Sequence, residues 1–222
     1  MRIDPVAYVG AVVREVAVRE RGGKPARAVI ATRSYDTDIA DLWDVLTNPE
    51  RIPRWFLPIS GDLRLGRRYQ FQGHAGGEIT TCEPPRRLAV TWESMGTVSW
   101  VTVTLAENGP DATRLELEHL SLIEGDFWDR YGPGAVGVGW DLALLGLALY
   151  LAMPPGEDFD RAAASAWPAT DDGKEFIRRA SEDWCRASIA AGTDEAAARR
   201  SAANTTAAYC GEPEPEPSGG GG

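Results

Sequence analysis

Only two histidines occur in the 222 residues, and His119 is the one placed for acid–base chemistry. In the run TRLELEHLSL, Leu115, Leu117 and His119 alternate onto one face of a strand while Glu116 and Glu118 point to the other. Histidine suits proton transfer near neutral pH. The competing reading is a core histidine tied to a backbone or carboxylate partner, and Glu118, on the opposite face, is not that partner. His74, in QGHAGG, belongs to a turn. Asp141 follows Trp140 near the expected start of an apolar helix, where a carboxylate steadies the first turn. Two histidines give no basis for a Ser–His–Asp or Cys–His nucleophile. Cys82, Cys185 and Cys210 are far apart and form no CxxC pair, so they read as reduced thiols and no metal site is expected.

The aromatic residues point to binding. Trp43, Trp55, Trp92, Trp100, Trp128 and Trp140, with Phe56, Tyr69 and Phe71, suit a cavity that holds a mostly apolar guest. They suit plain core packing equally well.

These side chains have to be positioned by a sheet. A short helix is expected over about residues 4–13, opened by Asp4-Pro5 with Val6, Val9 and Val13 on one face. REVAVRE and ARAVIATRSY, joined by RGGKP, read as a hairpin. Asp36, Thr37 or Asp38 caps a helix beginning IADLWDVLT, which Asn48-Pro49 ends. Five strand-like runs follow, separated by turns such as Gly76-Gly77, Pro84-Pro85 and Asn108-Gly109. Leu88, Val90 and Trp92 share one face, as do Val101, Val103 and Leu105. One side of an antiparallel meander is therefore covered and the other wet.

The run YGPGAVGVGWDLALLGLALYLAM (131–153) admits three readings. Gly132, Gly134 and Gly137 have dinucleotide-loop spacing, but no strand precedes them, Pro133 interrupts them and the meander is the wrong sheet type. As a membrane span the run puts Asp141 in hydrocarbon, at roughly 2.5–3.5 kcal/mol, between acidic flanks. From Val138 to Met153 it makes a helix of roughly 24 Å, with Trp140, Leu144, Leu147 and Leu151 on one stripe. A buried helix covering the sheet is the reading that remains.

Beyond Met153 a polar connection leads to two expected helices, Lys174 to about Ala191 and Asp194 to about Tyr209. The tail GEPEPEPSGGGG is too poor in apolar residues to fold. A net charge of −10 argues against nucleic-acid binding, which needs a basic face. The N-terminus has no signal-peptide pattern, so a cytoplasmic protein is expected.

RSYDTDIADLWDVLTNPERIPRWF resembles the opening of homologues of the C-terminal domain of the heat-shock protein 90 ATPase activator, within the START-like (SRPBCC) superfamily. CEPPRRLAVTWE and TRLELEHLSL resemble its later strands. The resemblance covers about Ala26 to Ala152. It implies an α+β helix-grip fold, in which a curved antiparallel sheet wraps a long C-terminal helix and leaves an apolar cavity. The expected organisation is a helix-grip domain over 1–153, a helical extension over 154–210 and a disordered tail over 211–222. The expected function is cofactor-free binding of a small lipid- or polyketide-like molecule. Its wall is expected to come from Trp43, Trp55, Phe56, Tyr69, Phe71, Trp92, Val101, Val103, Leu117, His119, Trp140 and Leu144. Two alternatives stand beside it. One is a cyclase or dehydratase using His119. The other is a chaperone-regulating or stress-response protein that meets a partner through its C-terminal helices.

Overall fold

Gly22 and Gly23 both take positive φ, as a two-residue type I′ loop requires. They fold β1 (Val13–Arg21) onto β2 (Lys24–Tyr35). The computed structural model in which this is seen describes residues 4–123, 126–154, 156–157 and 160–215. The helix before the hairpin, α1 (Pro5–Gly10), is shorter than the sequence suggests. Val13 lies outside it, pairs with Thr32 and is 70% exposed. The cause is Arg14, whose Nη1 donates to the carbonyls of Val9 and Val12 and closes the helix end.

After β2, Asp38 accepts from the amides of Ala40 and Asp41 and caps α2 (Ile39–Thr47), and α3 (Ile52–Trp55) follows the Asn48-Pro49 break. These two helices carry the chain to the far side of the sheet. There it runs back through β3 (Ile59–Gly61), β4 (Arg68–Phe71), β5 (Gly76–Glu83), β6 (Arg87–Ser94), β7 (Thr97–Glu107) and β8 (Thr113–Leu122). The last strand closes against the first hairpin, in the order β1-β2-β8-β7-β6-β5-β4-β3, antiparallel throughout. Three-residue β3 was not expected; it is too short to show alternation.

Register lines up the covered face. Ala31, Leu117, Val103 and Leu88 form one row across four strands, and Val29, His119, Val101 and Val90 form the next. In β5 the pairing slips between Ile79 and Thr81. This bulge lets Ile79 and Cys82, three residues apart, both face inward.

Gly132, at positive φ, turns the chain from α4 (Phe127–Tyr131) into α5 (Gly134–Leu151). α5 begins four residues before the expected Val138, so Gly134 and Gly137 lie inside it. A Cβ on Gly137 would collide with the Trp184 ring, and one on Gly146 would lie 2.8 Å from the Trp55 carbonyl oxygen. These glycines are notches that let neighbouring chain approach. α5 is long and apolar enough to cross a membrane, but half of it is buried within the fold. Val138, Leu144 and Leu147 sit in the core between sheet and helices.

The segment read as a polar connection contains α6 (Arg161–Ala166), followed by α7 (Asp171–Ala190) and α8 (Glu195–Cys210). α7 starts at Asp171, three residues before the expected Lys174, because Thr170 caps it by accepting from the Gly173 amide. Phe176, Ile177, Ala180 and Trp184 join the same core cluster as α5 and the sheet. In α8, Thr205 donates to the Tyr131 carbonyl and Tyr209 to that of Ala135. Of the expected disordered tail, 211–215 are described, with Glu214 bonded to Arg130 and Tyr131; 216–222 lie outside the described residues.

Candidate functional site

Between the covered face of β4–β8, the α2–α3 segment and α5 lies a cavity of about 140 Å³. Ten of the expected wall residues line it: Trp55, Phe56, Tyr69, Phe71, Trp92, Val101, Val103, Leu117, Trp140 and Leu144. Trp43 and His119 do not. Trp43 packs from α2 against the core, and His119 lies behind the rings of Trp92 and Trp140, 6.1 and 5.9 Å between centroids.

Phe56, Phe71 and Trp92 form one side of the cavity. Phe56 and Phe71 meet edge to face at 4.9 Å, and Phe71 lies 5.8 Å from Trp92. Trp92 in turn lies 5.1 Å from Trp140 of α5. The sequence reading missed Ile59, Leu63, Ile79, Cys82, Ala143 and Leu147, which also line the wall. Alternation alone could not place Cys82, since the bulge sets its face.

Polar groups around the wall are bonded to the protein itself. Trp55 Nε1 donates to the Val45 carbonyl at 3.1 Å, Tyr69 Oη to that of Thr91 at 2.8 Å and Thr47 Oγ1 to that of Trp43 at 2.7 Å. Burial raises the Tyr69 hydroxyl pKa far above its usual range, so it stays a neutral donor.

His119 is held at both ring nitrogens. Trp140 Nε1 is 2.9 Å from Nδ1, and Ser99 Oγ is 2.8 Å from Nε2. Indole N–H only donates, so Nδ1 must accept and the neutral ring carries its proton on Nε2. That proton goes to Ser99 Oγ, whose hydroxyl donates to the Trp92 carbonyl at 3.1 Å. Every donor in this chain is matched, and the imidazole points its proton at the serine rather than taking one from it. Burial drops the His119 pKa to about 4. The expected backbone or carboxylate partner is replaced by a tryptophan and a serine.

Asp141 is not a first-turn carboxylate. It sits in the interior of α5, 1% exposed. Arg14 grips it with Nε and Nη2 at 3.1 and 3.0 Å, and Trp184 Nε1 donates to it at 2.8 Å. Arg14 also reaches Asp183 at 2.8 Å. Burial pushes the Asp141 carboxyl up, against the pull of Arg14 and Trp184. The cluster ties β1, α5 and α7 together on the helix face away from the cavity. Local sequence carries no sign of it, because Arg14 and Asp141 are 127 positions apart.

The comparisons agree with this architecture. Residues 36–152 match the family model described as Activator of Hsp90 ATPase homolog 1-like protein. No curated protein matches the chain. Among solved structures, the crystal structure of CalU16 from Micromonospora echinospora is 32% identical, with a TM-score of 0.64, covering 80% of this chain and 98% of that one. Its solution structure gives 33% identity and a TM-score of 0.67, covering 82% and 97%. Four-fifths of this chain is more than residues 1–152 can supply, so the likeness extends into the C-terminal helices. PFC0360w, an HSP90 activator from Plasmodium falciparum, is 20% identical, covers 57% of this chain and 97% of that one with a TM-score of 0.50, and shares the fold alone. With more than half its length matched by one family model, on a sheet that grips a long helix, the chain belongs to the Activator of Hsp90 ATPase homolog 1-like family of the START-like superfamily.

Proposed function

We propose that this protein binds a small hydrophobic molecule, lipid- or polyketide-like, in the cavity between the sheet and α5. The observation that carries this reading is a cavity walled by aromatic and aliphatic side chains whose polar edges at Trp55, Tyr69, Trp140 and Thr47 are already bonded to the protein. A guest with a hydrogen-bonding group at its buried end would find few partners there and lose its hydration, so the buried part of the guest is hydrocarbon or aromatic. The volume, about 140 Å³, is below the roughly 300–1,000 Å³ of typical small-molecule sites. It is close to the size of an apolar protein cavity of about 150 Å³ known to take benzene. A single ring or short acyl segment therefore fits the cavity as it stands. Three cysteines without disulfides suit a cytoplasmic setting.

The matched hydrogen bonds of His119 disfavour the cyclase or dehydratase reading, since a base needs a free lone pair facing substrate. The test is a thermal-shift and native-mass panel of benzene, indole and medium-chain alcohols against the full chain. Stabilisation is expected in the wild type and absent in Ala143→Phe, which fills the cavity from α5. A wild type that none of these compounds stabilises overturns the reading.

A further inference from the structure

Arg33 lies on the covered side of β2, between Ala31 and Tyr35, where the neighbouring inward positions are apolar or aromatic. Its guanidinium sits 5.2 Å from the centroid of the Tyr8 ring and 5.3 Å from that of Tyr35. Its Nε is buried without a hydrogen-bond partner, and no ion pair or hydrogen bond reaches the group among the described residues. Asp141 lies within electrostatic reach, but its oxygens are held by Arg14 and Trp184. Buried donors in native proteins are nearly always matched, so an orphan on a charged group needs a partner to explain it.

Arg33 faces a second cavity that shares no lining residue with the first. Its volume is about 320 Å³, at the lower end of the roughly 300–1,000 Å³ of ligand sites. Tyr8 and Tyr35 flank the guanidinium, Ala148 and Leu151 of α5 with Ala152 just after it make an apolar wall, and Asp36 adds a carboxylate at the lining. A guanidinium fork matches a carboxylate with two parallel hydrogen bonds. Two aromatic rings fix its plane, which lowers the ordering cost of making them. The apolar wall wants a hydrocarbon body behind the charged end. Asp36, and the carbonyl end of α5 nearby, disfavour a second negative charge on the guest.

We propose that this cavity is a binding site for a small monocarboxylate with an aryl or alkyl body, recognised by Arg33. It is independent of the hydrophobic cavity and of the function proposed for it.

The experiment is calorimetric titration of the full chain with 4-phenylbutyrate and with its neutral counterpart 4-phenylbutanol. Saturable binding of the acid is expected, with the alcohol at least tenfold weaker. Arg33→Met is expected to weaken the acid at least tenfold, and the Arg33 Nε–H resonance is expected to shift on titration of the wild type. Leu151→Trp fills the apolar wall without touching the guanidinium, and is expected to abolish acid binding even if Arg33→Met fails to fold. Ala143→Phe, which closes only the first cavity, is expected to bind the acid like the wild type. The proposal is overturned by no detectable acid binding, by equal binding of acid and alcohol, or by acid binding that survives either Arg33→Met or Leu151→Trp. Loss of acid binding in Ala143→Phe would place the acid in the first cavity and overturn it as well. Inorganic phosphate binding as tightly as the acid would overturn the assignment to carboxylates.

Discussion

His119 illustrates how neighbours decide what a titratable residue does. Its Nδ1 must accept from Trp140, so protonating the ring breaks that hydrogen bond and places a charge in a buried setting. The folded pKa of about 4 lies below the ordinary value of about 6.5. Between these values the unfolded chain binds the proton and the folded chain does not, so stability falls as pH drops from above 6.5 toward 4. Urea unfolding is expected to give a wild type about 2 kcal/mol less stable at pH 5 than at pH 8 from this residue, with that part of the pH slope absent in His119→Gln. Asp141 makes the complementary case. Asp141→Asn leaves Arg14, whose side chain is 3% exposed, with only Asp183 as a carboxylate partner. Breaking a buried pair from one side costs about 3–5 kcal/mol, and the remaining Asp183 bond puts the expected loss near the lower figure. Chemical denaturation checks this, and Arg14→Met with Asp141→Leu is expected to recover part of the loss, since an apolar pair removes the stranded charge.

Among the elements, α5 shows what was legible in advance and what was not. Its apolar run, the helix cap among Asp36, Thr37 and Asp38, and the alternation of Leu88, Val90 and Trp92 are local patterns, and each led to the right element. The start of α5 at Gly134 was not legible. Glycine reads locally as a helix breaker, while here its value lies in contact with a ring some 47 positions away, by the difference between residues 137 and 184. Long separation also hid the partners of Asp141, while a local bulge hid the inward turn of Cys82. The glycines are not equivalent, and this can be measured. Gly137→Ala drives a methyl into the fully buried Trp184 ring and is expected to lose about 2–3 kcal/mol through overpacking. Gly139→Ala meets only the Tyr209 hydroxyl, at 3.0 Å, and gains up to about 1 kcal/mol in helix propensity, so its net change is expected to be within about 1 kcal/mol of zero. Thermal melts of the two variants side by side decide the point.

At the scale of the whole molecule, the C-terminal helices complete the core. Phe176, Ile177 and Trp184 are each no more than 1% exposed, and losing a buried side chain of this size typically costs about 2–5 kcal/mol. Removing three exceeds much of the 5–15 kcal/mol, roughly, that holds a domain together. A chain ending at Met153 is therefore expected to show no cooperative melt by circular dichroism, while the full chain unfolds in one transition. A truncated chain that melts sharply would mean that residues 1–153 hold a core without the C-terminal helices. The bulge in β5 has a different kind of consequence. Ile79 opposes Val90 and Thr81 opposes Ala89, so Thr80 is the surplus residue of the strand. Deleting it, which yields the same sequence as deleting Thr81, leaves Ile79 and Cys82 facing inward against the same partners. What Thr80 supplies is bend and twist. Chain length at this single position tunes the shape of the cavity independently of its chemistry, so a variant lacking Thr80 is expected to keep the same wall residues around a different outline.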